Sequence, residues 1–251
     1  MTSHLRRQRG LTLIELIVVM AILVILAGLT LPKLDVFKLK ANKAQAASNM
    51  ASLVTAITSY RAQHDVYPDY WDSLIEDQTS TLFSELHPSL NGGVGGTATK
   101  AATTTLTAGE LQSLARVGVF NVVDHVAGTG FPNNSATVER ALTTGATVAT
   151  LNLSDSTGKV AKILQEFYPA HSGTVPNGKK VVVFAIGKRS TMVGDVIVAP
   201  PFYANANQLT QYARMLAVFE VDGGGSRAKL LGCLAADGDR FEGEIQDFYK
   251  N

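Results

Sequence analysis

Several constellations in this chain carry residue types that could do chemistry. The most isolated is Glu15, the only ionisable residue in an otherwise apolar run from Leu11 to Leu31. A carboxylate deep in a membrane helix is costly, at about 2.5–3.5 kcal/mol on insertion scales, and less so near an end. Glu15 therefore either reaches for headgroups from one turn inside the membrane or meets a cation there. A second group lies in the tail "DGDRFEGEIQDFYKN". Carboxylate oxygens near a glycine turn suit a hard cation, and Asp237, Asp239, Glu242 and Glu244 form a candidate calcium set. The same residues also read as an ordinary solvated turn. A third stretch, "GTVPNGKK" from Gly173 to Lys180, comes close to a phosphate-binding loop. Lys180 stands where Ser or Thr would ligate magnesium, and a strand follows where that motif needs a helix, so Pro176-Asn177-Gly178 is read as a turn. His4, His64, His87, His125 and His171 are scattered without metal-ligand spacing, and no nucleophile motif accompanies them. These residues form no catalytic constellation. The single cysteine, Cys233, sits in the apolar "KLLGCLAA" and reads as a small core residue.

These groups need elements to position them. The Leu11–Leu31 run covers 21 residues. As a helix it would span roughly 30 Å, the thickness of a bilayer's hydrocarbon core. That is longer than a signal-peptide core, and no clear small-residue cleavage site closes it. It predicts a retained membrane helix at residues 11–31. Arg6, Arg7 and Arg9 precede the run and Lys33, Lys38, Lys40 and Lys43 follow it, so positive charge alone does not orient it. The sequence beyond Pro32 has no further Gly or Pro up to His64, which predicts one long helix from about Thr12 to His64. Met50, Leu53, Val54, Ile57 and Tyr60 mark one face for packing on a sheet. Residues 32–65 are its continuation, and residues 66–251 form a globular head.

Within the head, Pro68 blocks any helix before it, Trp71 to Asp77 predicts a short helical turn, and the aromatics around Tyr67 and Trp71 predict a plug over the core. Residues 91–109 are rich in Gly, Ala and Thr and predict a surface insertion. Thr107 and Glu110 fit a capping box for a helix over 108–116. Asp155 or Ser156 is expected to cap a helix whose buried face is Val160, Ile163, Leu164 and Phe167. Strands are predicted in "VGVFNVVDHV", "ATVATLNL", "KKVVVFAIG", "DVIVAP", "ARMLAVFEV" and "AKLLGCLAA", the last two joined as a hairpin by "DGGGSR". The fold class is α+β, a long N-terminal helix packed on a mostly antiparallel sheet.

The stretch "RRQRG" followed by "LTLIE" resembles the processing site of type IV pilins and type II secretion pseudopilins. The resemblance implies cleavage between Gly10 and Leu11 by a prepilin peptidase and N-methylation of Leu11, where the family usually has Phe. It implies that Glu15 pairs with the new amine, in its own chain or in a neighbouring subunit, and so sets register as subunits enter a filament. Pro32 lies where the family often has a kink, and Tyr67-Pro68 with Trp71 resembles the start of a pseudopilin head. The partners implied are other copies of the chain, the peptidase and an inner-membrane assembly platform. The implied path runs from a single-pass inner-membrane precursor, head outside the cytoplasm, to a periplasmic or extracellular filament with a type IV pilin-like fold. Major pseudopilins hold calcium in a C-terminal acidic loop, and the motif here departs from theirs. No other cofactor is implied.

Formal charge is +1, and removal of the three leader arginines makes the chain slightly acidic. That excludes a general nucleic-acid binder. Two classes of function remain: a structural subunit of a pilus or pseudopilus, and a single-pass membrane-anchored ligand-binding or enzymatic domain in which the leader match is incidental.

Overall fold

The computed structural model describes residues 12–77, 79–92, 100–126, 137–155 and 158–240. Its chain divides into two compact units, one ending at Ala41 and one beginning at Asn42. The first element is α1, Leu13–His64, of 52 residues. The sequence supports such length because only Gly28 and Pro32 interrupt an otherwise helix-tolerant composition.

In the second unit eight strands form one sheet. They are β1 (Trp71–Glu76), β2 (Ala101–Thr105), β3 (Asn121–His125), β4 (Thr137–Ala141), β5 (Thr147–Leu151), β6 (Lys179–Ala185), β7 (Leu216–Asp222) and β8 (Lys229–Leu234). The order is β2-β5-β6-β1-β3-β4, with β7 also paired to β6 and β8 to β7. Every described pairing is antiparallel except that of β1 with β3. This is the α+β arrangement expected.

The centre of the sheet, at β6 and β7, is buried on both faces, and strand alternation shows why. Val182 and Phe184 of β6, with Ala217, Phe219 and Val221 of β7, face one cluster containing Ala46, Met50, Leu53, Ile57 and Tyr60 of α1. Their neighbours Val181, Val183, Ala185, Leu216 and Val218 face a second cluster with Val160, Ile163 and Leu164. Those three come from α4, Lys159–Phe167, while Leu90 of the short α2, Pro88–Asn91, closes the same side. The predicted aromatic plug is present: Tyr67 and Trp71 each meet Phe219 edge-on, at 5.2 and 5.4 Å between ring centres.

Helix α3, Ala108–Ala115, begins at the predicted capping box. Thr107 accepts from the Glu110 N–H and Glu110 accepts from the Thr107 N–H at 2.9 Å. At α4 the N-cap is Gly158, yet the Asp155 carboxylate accepts from the N–H groups of Lys159 and Val160, each at 3.0 Å. Asp155 thus caps from outside the cap position. Ser156 lies outside the described residues.

Three expectations are corrected. Trp71–Asp77 is not a helical turn but contains strand β1. A register shift between Asp72 and Glu76, with Leu74 at φ 64°, breaks the two-residue alternation. It buries Trp71, Leu74 and Ile75 together, a spacing that imitates a helix face. Residues 91–109 are not all insertion: Ala101–Thr105 is β2, in full antiparallel register with β5. "DVIVAP" is not a regular strand. It carries one isolated bridge, Val193 to Ile197, and Val198 is 96% exposed. Strand β4 had no counterpart in the sequence reading.

Candidate functional site

The site of interest is the start of α1. Every large apolar side chain from Leu13 to Leu26 is at least half exposed. The helix is long and apolar enough to cross a membrane. A soluble surface does not present such an area to water; lipid or other protein must cover it.

Glu15 lies in the first turn of this helix. Its Oε2 accepts from the Thr12 N–H at 2.8 Å and from the Thr12 hydroxyl at 3.0 Å. The Thr12 hydroxyl in turn accepts from the Glu15 N–H at 3.3 Å. This is a reciprocal capping box, and it satisfies two backbone donors that the start of a helix leaves open. Thr12-x-x-Glu15 carries that signal in the sequence, four residues that the sequence reading passed over. Both Thr12 donors end on Oε2. A carboxylate has a second oxygen, so the same side chain can also accept from an amine. Gly10 and Leu11, the expected cleavage and methylation positions, lie outside the described residues.

The other constellations resolve differently. "GTVPNGKK" is a turn, closed by the Lys179 N–H donating to the Pro176 carbonyl at 3.0 Å, with Gly178 at φ 77°. Lys180 then donates to Glu110 Oε2 and to the Thr105 carbonyl, each at 2.9 Å, so its ammonium ties α3 to β6. Cys233 is buried in the first core cluster, and burial pushes its thiol up to about 12. A thiol held so far from ionisation is a packing group. Among the described residues no three His, Cys, Asp or Glu side chains converge on one point.

The calcium expectation does not fit the part of its set that is described. Asp237 is buried, and its Oδ2 accepts from the Tyr203 hydroxyl at 2.7 Å while its Oδ1 accepts from the Asp239 N–H at 3.0 Å. Asp239 Oδ1 takes the Lys100 ammonium at 2.5 Å. Three of the oxygens a metal would use already serve donors, one of them cationic. Glu242 and Glu244 lie outside the described residues.

Comparison with known proteins supports the class that the helix start suggests. Residues 5–31 match the family described as the prokaryotic N-terminal methylation motif. The match, and the similarity to the relatives below, is confined to the N-terminal part of the chain. "Type II secretion system core protein G" of Pectobacterium carotovorum subsp. carotovorum is 44% identical over 62 residues, 25% of this chain and 40% of that protein. The protein of the same name from Escherichia coli (strain K12) is 38% identical over 76 residues, 29% of this chain and 52% of that one. "Type IV major pilin protein PilA" of Myxococcus xanthus (strain DK1622) is 39% identical over 64 residues, 26% of this chain and 29% of its own length. The chain thus spans between about a quarter and a half of the length of these relatives. No solved structure matches the chain.

Proposed function

We propose that this chain is a structural subunit of a pilus or pseudopilus, made as a membrane-anchored precursor and polymerised through α1. The observation that carries the reading is the exposed apolar start of α1 with Glu15 fixed at its first turn. The matched motif over residues 5–31 and the pilin and pseudopilin relatives support it. On this reading a prepilin peptidase removes residues 1–10 by cutting after Gly10, and Leu11 becomes the methylated N-terminus. Residues 11–31 span the inner membrane, and residues 66–251 form the head on the far side from the cytoplasm. An inner-membrane platform then feeds subunits into a periplasmic or extracellular filament.

Glu15 has two roles in this scheme. Its box with Thr12 starts the helix. Its carboxylate also offsets the amine released at Leu11, since two opposite charges taken out of water together cost less than either alone. Intact-mass and N-terminal analysis of membrane-extracted protein tests the proposal. The expected product starts at Leu11 and carries one methyl group. Gly10→Val should remain at full length. A mature start near Leu29, or an uncut Met1 in the unmutated chain, would overturn the reading.

A further inference from the structure

The acidic turn that resembles a calcium loop holds an ammonium where a metal would be expected. Lys100 immediately precedes β2 and is only 2% exposed. Its backbone is fixed by its carbonyl accepting from the Asn152 N–H at 2.9 Å, just past β5. From there Nζ donates to the Asp237 carbonyl at 2.9 Å and to Asp239 Oδ1 at 2.5 Å. The turn closes around it, with the Ala235 N–H donating to the Asp239 carbonyl at 2.8 Å and the Gly238 N–H to the Ala235 carbonyl at 2.9 Å.

The turn is also shaped to the lysine stem. Gly238 sits at φ 80°, and a Cβ there would lie 2.9 Å from Lys100 Cδ and 2.8 Å from Leu90 Cδ2. Only glycine allows both the conformation and the approach. On the far side Tyr203 holds Asp237 Oδ2, and His87 stands half-buried nearby, with burial keeping its imidazole below the usual range.

We infer that the Lys100 ammonium does the structural work of a divalent cation at this turn, and that its presence closes the site to calcium. The chemistry is the same in kind: a buried positive charge draws a backbone carbonyl and a carboxylate onto one centre. A second cation among the same oxygens would face the buried ammonium at short range. The inference is independent of the filament reading, because it concerns only what holds the C-terminal turn to β2.

The test uses the full chain in detergent micelles. Head unfolding is followed by the fluorescence of Trp71, the single tryptophan and fully buried. The unmutated chain should give the same midpoint in EDTA and in millimolar calcium. Lys100→Met should lower the midpoint by roughly 5–10 °C, because it leaves the buried Asp237 carbonyl and the partly exposed Asp239 carboxylate without their cation. Calcium should then recover part of that loss, and Asp239→Asn added to Lys100→Met should abolish the recovery. Asp239→Asn alone keeps the ammonium and the packing and tests the contact without emptying the turn; its midpoint should fall by a few degrees with no calcium response. A calcium-dependent rise in the unmutated chain would overturn the inference. So would an unshifted midpoint in Lys100→Met or in Asp239→Asn, or a Lys100→Met melt that ignores calcium.

Discussion

Two stretches of α1 use the same residue types to opposite ends. Between Leu13 and Leu26 the large apolar side chains cover the whole circumference, and all are exposed. Between Ala46 and Tyr60 they are confined to one stripe, and Ala46, Met50, Leu53, Ile57 and Tyr60 are buried against β6 and β7. A uniform apolar surface cannot be satisfied by one sheet, because a sheet covers only one side of a helix. A stripe can. The first stretch is therefore built for surroundings that come from outside the chain, and the second carries its surroundings in its own sequence.

The sharpest way to break this comparison is at Glu15. Glu15→Gln should leave the precursor inserted and largely cleaved, with an unchanged melt of the head, yet reduce fibre yield at least about tenfold, since an unpaired buried amine costs several kcal/mol. Negative-stain microscopy with a membrane-fraction blot checks this. Normal fibres would return Glu15 to helix capping and headgroup contact alone. The converse variant is Ile57→Ala in the buried stripe. It should destabilise the head by about 2–5 kcal/mol and leave membrane insertion untouched. Denaturant unfolding monitored at Trp71, alongside carbonate extraction, separates the two effects.

A smaller effect is expected where α3 meets the turn after β7. A Cβ on Gly109 would lie 1.7 Å from the Gly223 carbonyl oxygen, which is backbone and cannot swing aside. Gly109→Ala should cost the head about 1–3 kcal/mol and leave processing unchanged. Thermal melting against an intact-mass check is sufficient to show it. The smallest effect concerns Asp222 in the same turn. The Ser226 side chain and the Gly224 N–H hold its carboxyl at about 2, below its ordinary 3.8. A depressed folded value means the contribution is complete above the ordinary value and disappears as pH falls through about 2. Asp222→Asn should thus melt slightly lower than the unmutated chain at pH 7, and the two curves should converge below pH 2. A constant gap across that window would assign the effect to shape rather than charge.

The parts legible in the sequence are those with local causes. The 21-residue run, the lone Glu15, the Thr107–Glu110 box, the Met50–Tyr60 stripe and the β7–β8 hairpin each need only a window of residues. Strand β1 was misread because its bulge replaces alternation with helix-like spacing. Strand β2 was hidden because Ala and Thr carry little apolar signal, and its place is decided by register with β5. The Lys100–Asp239 pair lies beyond any window, since its members are 139 residues apart. The lysine also sits in the stretch that composition assigned to an insertion. By contrast the Thr12–Glu15 box is local, a T-x-x-E signal within one turn, and a lone carboxylate in an apolar run serves helix initiation as readily as it serves charge pairing.

The position of Phe219 has a consequence for the order in which the head can mature. Its ring meets Tyr67, Trp71 and Phe184, so it joins the loop after α1, strand β1 and strand β6 at one point. The strand that delivers it is the next-to-last of the sheet, and β6 takes its longest register from that strand. A chain made from its N-terminus exposes the α1 stripe more than 110 residues before β6, and more than 150 before β7, are available to cover it. During synthesis the head is thus an open template, and its last quarter acts as the latch.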